Sequence, residues 1–189
     1  MKKPTQLLCA IPLLVSLLAP CASALDQATA LPVATASGSH EQLAGNIHSQ
    51  VNAYRQSLGK PGLKRNAGLD RLARQHSEFM RRNRGKFGKG SKGNITHFGF
   101  EERSMMAQRG MGMSDVGENV ATCSRTARPA NVLVEAWKKS KGHQMNLKGS
   151  WTQTGIGVVV DADGTVFATQ LFGNIDHSHM TLTNRMRSF

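Results

Sequence analysis

Two imidazoles and one carboxylate stand out for what they could do together. His97 stands alone, Glu118 lies in Gly117-Glu118-Asn119-Val120-Ala121, and His143 closes Trp137-Lys138-Lys139-Ser140-Lys141-Gly142-His143. A fourth stretch, Thr169-Gln170-Leu171-Phe172-Gly173, completes the pattern as a further wall of the expected pocket. Residues this far apart do not meet through helix or strand spacing, so only a tertiary fold can bring them together. Such a set serves one of three ends. Two histidines and a glutamate are an acceptable open zinc site with water in the fourth place. Without metal, a histidine beside a carboxylate has its charged form favoured while burial opposes it, which suits acid/base work with Glu118 and His143 as candidate catalytic groups. The third reading is a polar network that ties elements together with every partner paired. Ser140 precedes His143 by three residues, about one helical turn, so a hydroxyl–imidazole contact is within reach. No Gly-x-Ser-x-Gly elbow and no His-Glu-x-x-His helix occurs.

The elements that must position these groups are legible in the apolar pattern. Leu43, Ile47, Val51, Tyr54 and Leu58 form one helical stripe, stopped by Gly59-Lys60-Pro61-Gly62. Leu69, Leu72, Ala73, His76, Phe79 and Met80 form a second, with His76 expected as a hydrogen-bonded core histidine. His97 opens a third helical segment through Phe98, Phe100, Met105 and Met106, whose methionine spacing suits core filling better than copper ligation. Glu118 to Cys123 reads as a short strand. After Pro129, the run Val132, Leu133, Ala136, Trp137 and Ser140 predicts a fourth helix that Gly142 ends, with Trp137 in the core. Residues 155–161 and 165–172 are Val- and Ile-rich strands joined by the turn Asp161-Ala162-Asp163-Gly164. This order predicts an α+β fold, with an antiparallel sheet covered by helices.

Lys2 and Lys3, an apolar run from Leu7 to Ala19 and Ala22-Ser23-Ala24 read as a secretory signal, residues 1–24, cleaved after Ala24. Leu18-Ala19-Pro20-Cys21 loosely resembles a lipobox, so lipidation at Cys21 stands as the alternative to soluble periplasmic or secreted export. Residues 25–40 are expected as a flexible leader, 41–175 as the domain and 176–189 as a basic tail with His177 and His179. Loss of Cys9 and Cys21 leaves Cys123 alone, expected as a buried small hydrophobe, so the core must supply the stability. Net charge is +12. Arg81, Arg82, Arg84, Lys86, Lys89 and Lys92 form a run without an acid, suited to an anionic membrane or wall polymer. Phe87 is the one aromatic within it, so the stacking platforms of single-strand binders are missing and no nucleic acid is expected.

Taken together, Asn52-Ala53-Tyr54-Arg55, His97, the Gly-Glu-Asn stretch, Ala136-Trp137, Ser140-Lys141-Gly142-His143, Gly155-Ile156-Gly157 and Thr169–Gly173 resemble the CAP superfamily of cysteine-rich secretory, antigen 5 and pathogenesis-related proteins, especially its bacterial branch. The resemblance covers residues 43–174. It implies a three-layer α–β–α sandwich with a central antiparallel sheet and a cleft. It further implies that His97, Glu118 and His143 correspond to residues that bind a divalent metal such as zinc in some members. Ser140 stands where a second glutamate is found elsewhere, and Gln144 replaces a frequent arginine. The expectation is an exported binding module of the envelope or extracellular space. Its cleft, with His97, Glu118, Ser140 and His143, would take a lipid or other apolar or amphiphilic small molecule. The rival is a metal-dependent or acid/base hydrolase of peptide or wall material.

Overall fold

A computed structural model of the chain describes residues 36–88 and 93–176. All of them fall within one compact unit that begins at Ala34. The signal, most of the leader, Cys21, Lys89, Lys92, His177 and His179 lie outside the described residues.

The chain runs α1 (Ala36–Ser57), β1 (Lys64–Arg65), α2 (Ala67–Arg82), α3 (Phe100–Met111), β2 (Met113–Cys123), α4 (Pro129–Lys139), α5 (Lys141–Lys148), β3 (Gln153–Val160) and β4 (Val166–Ile175). The sheet order is β1-β3-β4-β2. The three long strands are antiparallel, as expected; the two-residue β1 adds a parallel pair with β3 and makes the sheet mixed. Among the described residues β2 pairs only with β4, which makes it a sheet edge.

Alternation along the strands divides the core in two. Ala121, Cys123, Ile156, Val158, Val166, Ala168 and Phe172 pack with α1, α4 and α5 residues such as Ile47, Val51, Leu133, Trp137 and Leu147. On the other face, Leu171 meets Leu69, Leu72, Ala73 and Ala107 from α2 and α3, while Val120 and Phe167 meet Met80. Helices thus cover both faces of the sheet. Two glycines of β3 set how closely α2 approaches. A Cβ on Gly155 would lie 2.1 Å from the Leu69 carbonyl carbon, and one on Gly157 2.0 Å from the Arg74 backbone nitrogen. Only a bare backbone lets α2 lie this close to the strand.

Local chemistry explains most boundaries. Asn66 caps α2, its side chain accepting from the Gly68 and Leu69 backbone N–H groups. Pro129 starts α4 in its first turn, where no helical N–H partner is lost. The predicted β3–β4 turn forms with the Gly164 N–H donating to Asp161 O and Gly164 at φ 82°. Three expectations are corrected. Gly142 lies inside a helix: the break comes at Ser140, whose ψ of 121° is extended, and α5 begins one residue later. Met105 and Met106 are exposed, since Ala107 is the residue that α3 buries. Leu58 follows α1 and is exposed, so the apolar stripe of that helix ends at Tyr54.

Candidate functional site

The site straddles the outer edge of β2, and that position explains how the two helical layers both reach it. Glu118 projects to the α2/α3 face, where His97 approaches from the segment before α3. His143 belongs to α5, in the opposite layer. The two imidazole rings lie 6.1 Å apart, centroid to centroid. The convergence read from the sequence is therefore present.

Each residue of the Gly-Glu-Asn stretch has a distinct task. Gly117 leaves room for the Trp151 indole, whose Cζ2 would sit 3.0 Å from an added Cβ. Asn119 holds α5 against the strand: its Nδ2 donates to His143 O at 3.1 Å, and its Oδ1 accepts from Asn146 Nδ2 at 2.9 Å. Asn146 Nδ2 also donates to Glu118 O, and the Trp151 indole N–H to Asn146 O. The backbone of His143 is thus tied to the strand that carries Glu118.

His97 and Glu118 form a carboxylate–imidazole pair. His97 Nδ1–H donates to Glu118 Oε1 at 2.9 Å, which leaves Nε2 free on a half-exposed ring. Behind the ring, His76 Nε2–H donates to Thr96 O at 2.7 Å and steadies the backbone before His97. His76 is buried, as expected, and burial pushes its pKa down. The pKa of His143 is likewise lowered, first by burial and then by repulsion from His97, so its ring is neutral at pH 7.

One member of the site went unseen in the sequence. Arg103, on α3, donates from Nε to Glu118 Oε2 at 2.8 Å and from Nη2 to Oε1 at 2.9 Å. Its Nη1 holds Phe98 O at 3.0 Å, so one guanidinium fixes both the carboxylate and the segment that carries His97. The Glu118 side chain is only 2% exposed and that of Arg103 11%. With three donors on two oxygens, Glu118 orients and balances charge, and is not presented to a ligand as a base. In the sequence Arg103 is one of many basic residues, and no motif distinguishes it.

The donor set does not fit a divalent metal. Both Glu118 oxygens are committed, and a cation already sits at them. No group of three His, Cys, Asp or Glu side chains arranged to hold a metal ion occurs among the described residues.

Beside His143 lies a hollow of about 210 Å³, walled by Ile95, Val120, Ala121, Thr122, Ala136, Trp137 and Ser140. Trp137 is fully buried, as expected, and its indole Nε1 has no hydrogen-bond partner. Ser140 lines the hollow, but no hydrogen bond joins its hydroxyl to His143. The expected fourth wall is absent: residues 169–173 lie in β4, where Thr169 meets Ser77 and Gln170 meets Thr154. Cys123 is buried, and burial raises its pKa, which keeps the thiol protonated.

The basic run is less free than its composition suggests. Arg81 and Arg82 both bind Glu78 at 2.7 Å, and Arg84 binds Asp161 at 2.6 Å and Asp163 at 2.9 Å. Hydrogen bonding from Arg81 is the main cause that holds the Glu78 carboxyl at about 2. Lys86 donates to Asn83 Oδ1.

A sheet covered by helices on both faces, with a histidine–glutamate cleft over one edge, defines an SCP-type α–β–α sandwich. The chain belongs to the cysteine-rich secretory protein (CAP) family, whose model matches residues 48–172. Similar solved structures include an outer surface protein from Borrelia burgdorferi, at 19% identity and TM-score 0.58, covering 72% of this chain and 95% of that one. An extracellular protein containing an SCP domain from Bacillus anthracis matches at 25% identity and TM-score 0.55, over 76% of this chain. A cysteine-rich secretory protein from Staphylococcus aureus matches at 16% identity and TM-score 0.52, over 71%. The match spans 44% and 39% of the last two proteins. No curated protein matches the chain.

Proposed function

We propose that this chain is an exported, non-enzymatic binding module of the cell envelope or extracellular space, and that the hollow beside His143 receives the apolar part of a small amphiphilic ligand. The observation that carries this reading is the lining. Ile95, Val120, Ala121, Ala136 and Trp137 supply an apolar interior, and His143 lines it as the polar counterpart, with the His97 ring 6.1 Å from that imidazole. The signal-like N-terminus and the family support export. Straight-chain carboxylates of increasing length, titrated calorimetrically, test it. Affinity should rise about fourfold per added carbon, from about 0.8 kcal/mol per buried methylene, until the hollow is full. Ala136→Phe, at an exposed position on the rim, should abolish the rise and leave the fold intact. A length series unchanged by that variant would sink the reading.

A second reading rests on one observation. His97 directs Nδ1 to Glu118 and keeps Nε2 free opposite a neutral His143, which is the arrangement of an oriented acid/base pair. In this reading the protein is a hydrolase of peptide or wall material. Turnover of such material, lost in both His97→Gln and His143→Gln, would favour it over simple binding.

A further inference from the structure

We propose that the hollow over the start of β2, walled by Ser104, Gln108, Asp115, Ser150, Trp151 and Asn174, is a sugar-binding subsite that takes a neutral N-acetylated hexose against the Trp151 indole. The hollow measures about 410 Å³ and draws its walls from α3, β2, the loop before β3 and the end of β4. Its lining decides the ligand class. The chain has 24 Lys and Arg side chains, yet none of them walls this space, and Asp115 is the one charge there. An anion would meet repulsion without a counter-charge. A lone carboxylate is a poor metal site, and no group of three metal-ligating side chains occurs among the described residues. An alkyl chain fits no better, since serines and amides would lose water to it and gain no partner. What is left is a neutral ligand rich in groups that both donate and accept.

Hydroxyls and amides do both. Gln108 Nε2 reaches Ser104 Oγ only at 3.4 Å, a long bond that a ligand oxygen can replace. Asn174 Nδ2 donates to Ser150 O at 3.0 Å, which orients the amide, while its Oδ1 has no partner. Ser114 Oγ donates to Asp115 Oδ2 at 3.2 Å and leaves Oδ1 as a strong acceptor for a sugar hydroxyl. The register of β2 is irregular between Met113 and Val116, which frees Asp115 from the ladder with β4. Two amides and a carboxylate complement an acetamido group flanked by hydroxyls, which carries an N–H, a C=O and several O–H groups. The C–H faces of a pyranose ring need an apolar surface, and Trp151 supplies one in a fixed position. Phe172 stacks against it at 5.9 Å between centroids, and its indole N–H donates to Asn146 O at 2.9 Å. Along β2, Glu118 separates this subsite from the apolar hollow, which the strand enters at Val120. The inference therefore stands whether or not that second hollow takes an apolar ligand.

The experiment is calorimetric titration with the neutral N-acetylglucosamine trimer chitotriose, alongside tryptophan fluorescence, for the unmodified protein and for Gln108→Ala, Asp115→Ala and Ala136→Phe. We expect one equivalent to bind and to shift the emission of Trp151, the less buried of the two tryptophans. Gln108→Ala and Asp115→Ala, both at exposed positions, should each weaken binding about fivefold or more, the loss of one hydrogen bond. Ala136→Phe, which fills the other hollow, should leave chitotriose binding unchanged. Circular dichroism checks that each variant is folded. Absence of binding to the unmodified protein at millimolar chitotriose overturns the proposal whatever the variants do. Binding that survives both Gln108→Ala and Asp115→Ala, or that is lost in Ala136→Phe, lies elsewhere and overturns it as well. Asp115-dependent binding of spermidine with none of chitotriose would assign the space to a cation and likewise end the proposal.

Discussion

Breaking the Arg103–Glu118 pair from either side should destabilise the protein far more than removing the pair as a whole. Arg103→Met deletes two of the three charge-assisted bonds to Glu118 and leaves only His97 Nδ1 on a side chain 2% exposed. Removing one partner of a buried pair costs about 3–5 kcal/mol. Because Arg103 is 11% exposed and His97 half-exposed, water reaches the rim of the site, and the lower end applies, about 3 kcal/mol. Glu118→Gln keeps an acceptor but strands the guanidinium, for about 2–3 kcal/mol. The double variant removes both charges, and a loss of about 1–2 kcal/mol is expected, mainly from the freed Phe98 carbonyl and lost packing. The cycle should therefore show a coupling of about 3–5 kcal/mol, well beyond that of exposed ion pairs. Urea unfolding followed by far-UV circular dichroism measures it. In thermal unfolding the Arg103→Met variant should melt roughly 6–12 °C lower, at about 2–4 °C per kcal/mol for a domain of this size. Single variants that each lose under about 1 kcal/mol, or that add without coupling, would refute the charge argument.

Three further expectations follow from other contacts. Burial lowers the pKa values of His76, His143 and His40, so the unfolded chain binds more protons than the folded one near and below pH 6.5. Stability should then be greatest above that pH and fall from pH 7.5 to 5; His143→Gln should flatten part of the fall in urea midpoint, and a midpoint that rises on acidification would contradict the assignment. Gly157→Ala places a methyl against the α2 backbone and should cost about 3 kcal/mol, at the upper end of overpacking, while Gly45→Ala, with open space around it, should cost almost nothing; equal melting temperatures would refute the close-packing account. Asp161→Ala with Asp163→Ala releases Arg84 and should strengthen binding to anionic vesicles, an effect that 0.5 M salt should abolish; unchanged binding at low salt would show that the basic run does not act on surfaces.

The sequence carried more of the fold than of the site. Stripes such as Leu69, Leu72, Ala73 and Met80 identify a helix because one face must be apolar, and the Val-rich hairpin declares itself through its turn. Gly142 misled because glycine ends a helix only where positive φ is needed; near the start of α5 its φ is not positive, and the break fell to Ser140. Met105 and Met106 misled because an apolar residue is no guide to burial on a helix that packs one small residue, Ala107. His97, Glu118 and His143 could be nominated as a set because their types are rare and their contexts unusual. Arg103 could not, since its significance lies in meeting a buried carboxylate 15 residues away across two elements. Which strand lies at the edge was equally hidden, because strand order depends on tertiary pairing.

That edge position decides which atoms a ligand meets. Had β2 been an inner strand, a neighbour would have separated the layer that holds His97 from the layer that holds His143. At the edge, the two rings approach over the strand, and the hollow beside His143 draws Ile95 from one layer and Trp137 from the other. Glu118 lies beneath with both oxygens occupied, so its charge is already balanced by Arg103 before anything binds. The cleft therefore offers an incoming molecule imidazole nitrogens and an apolar wall in place of a bare anion. Selectivity in such a site depends on its shape and on the imidazole nitrogens that stand beside the apolar wall.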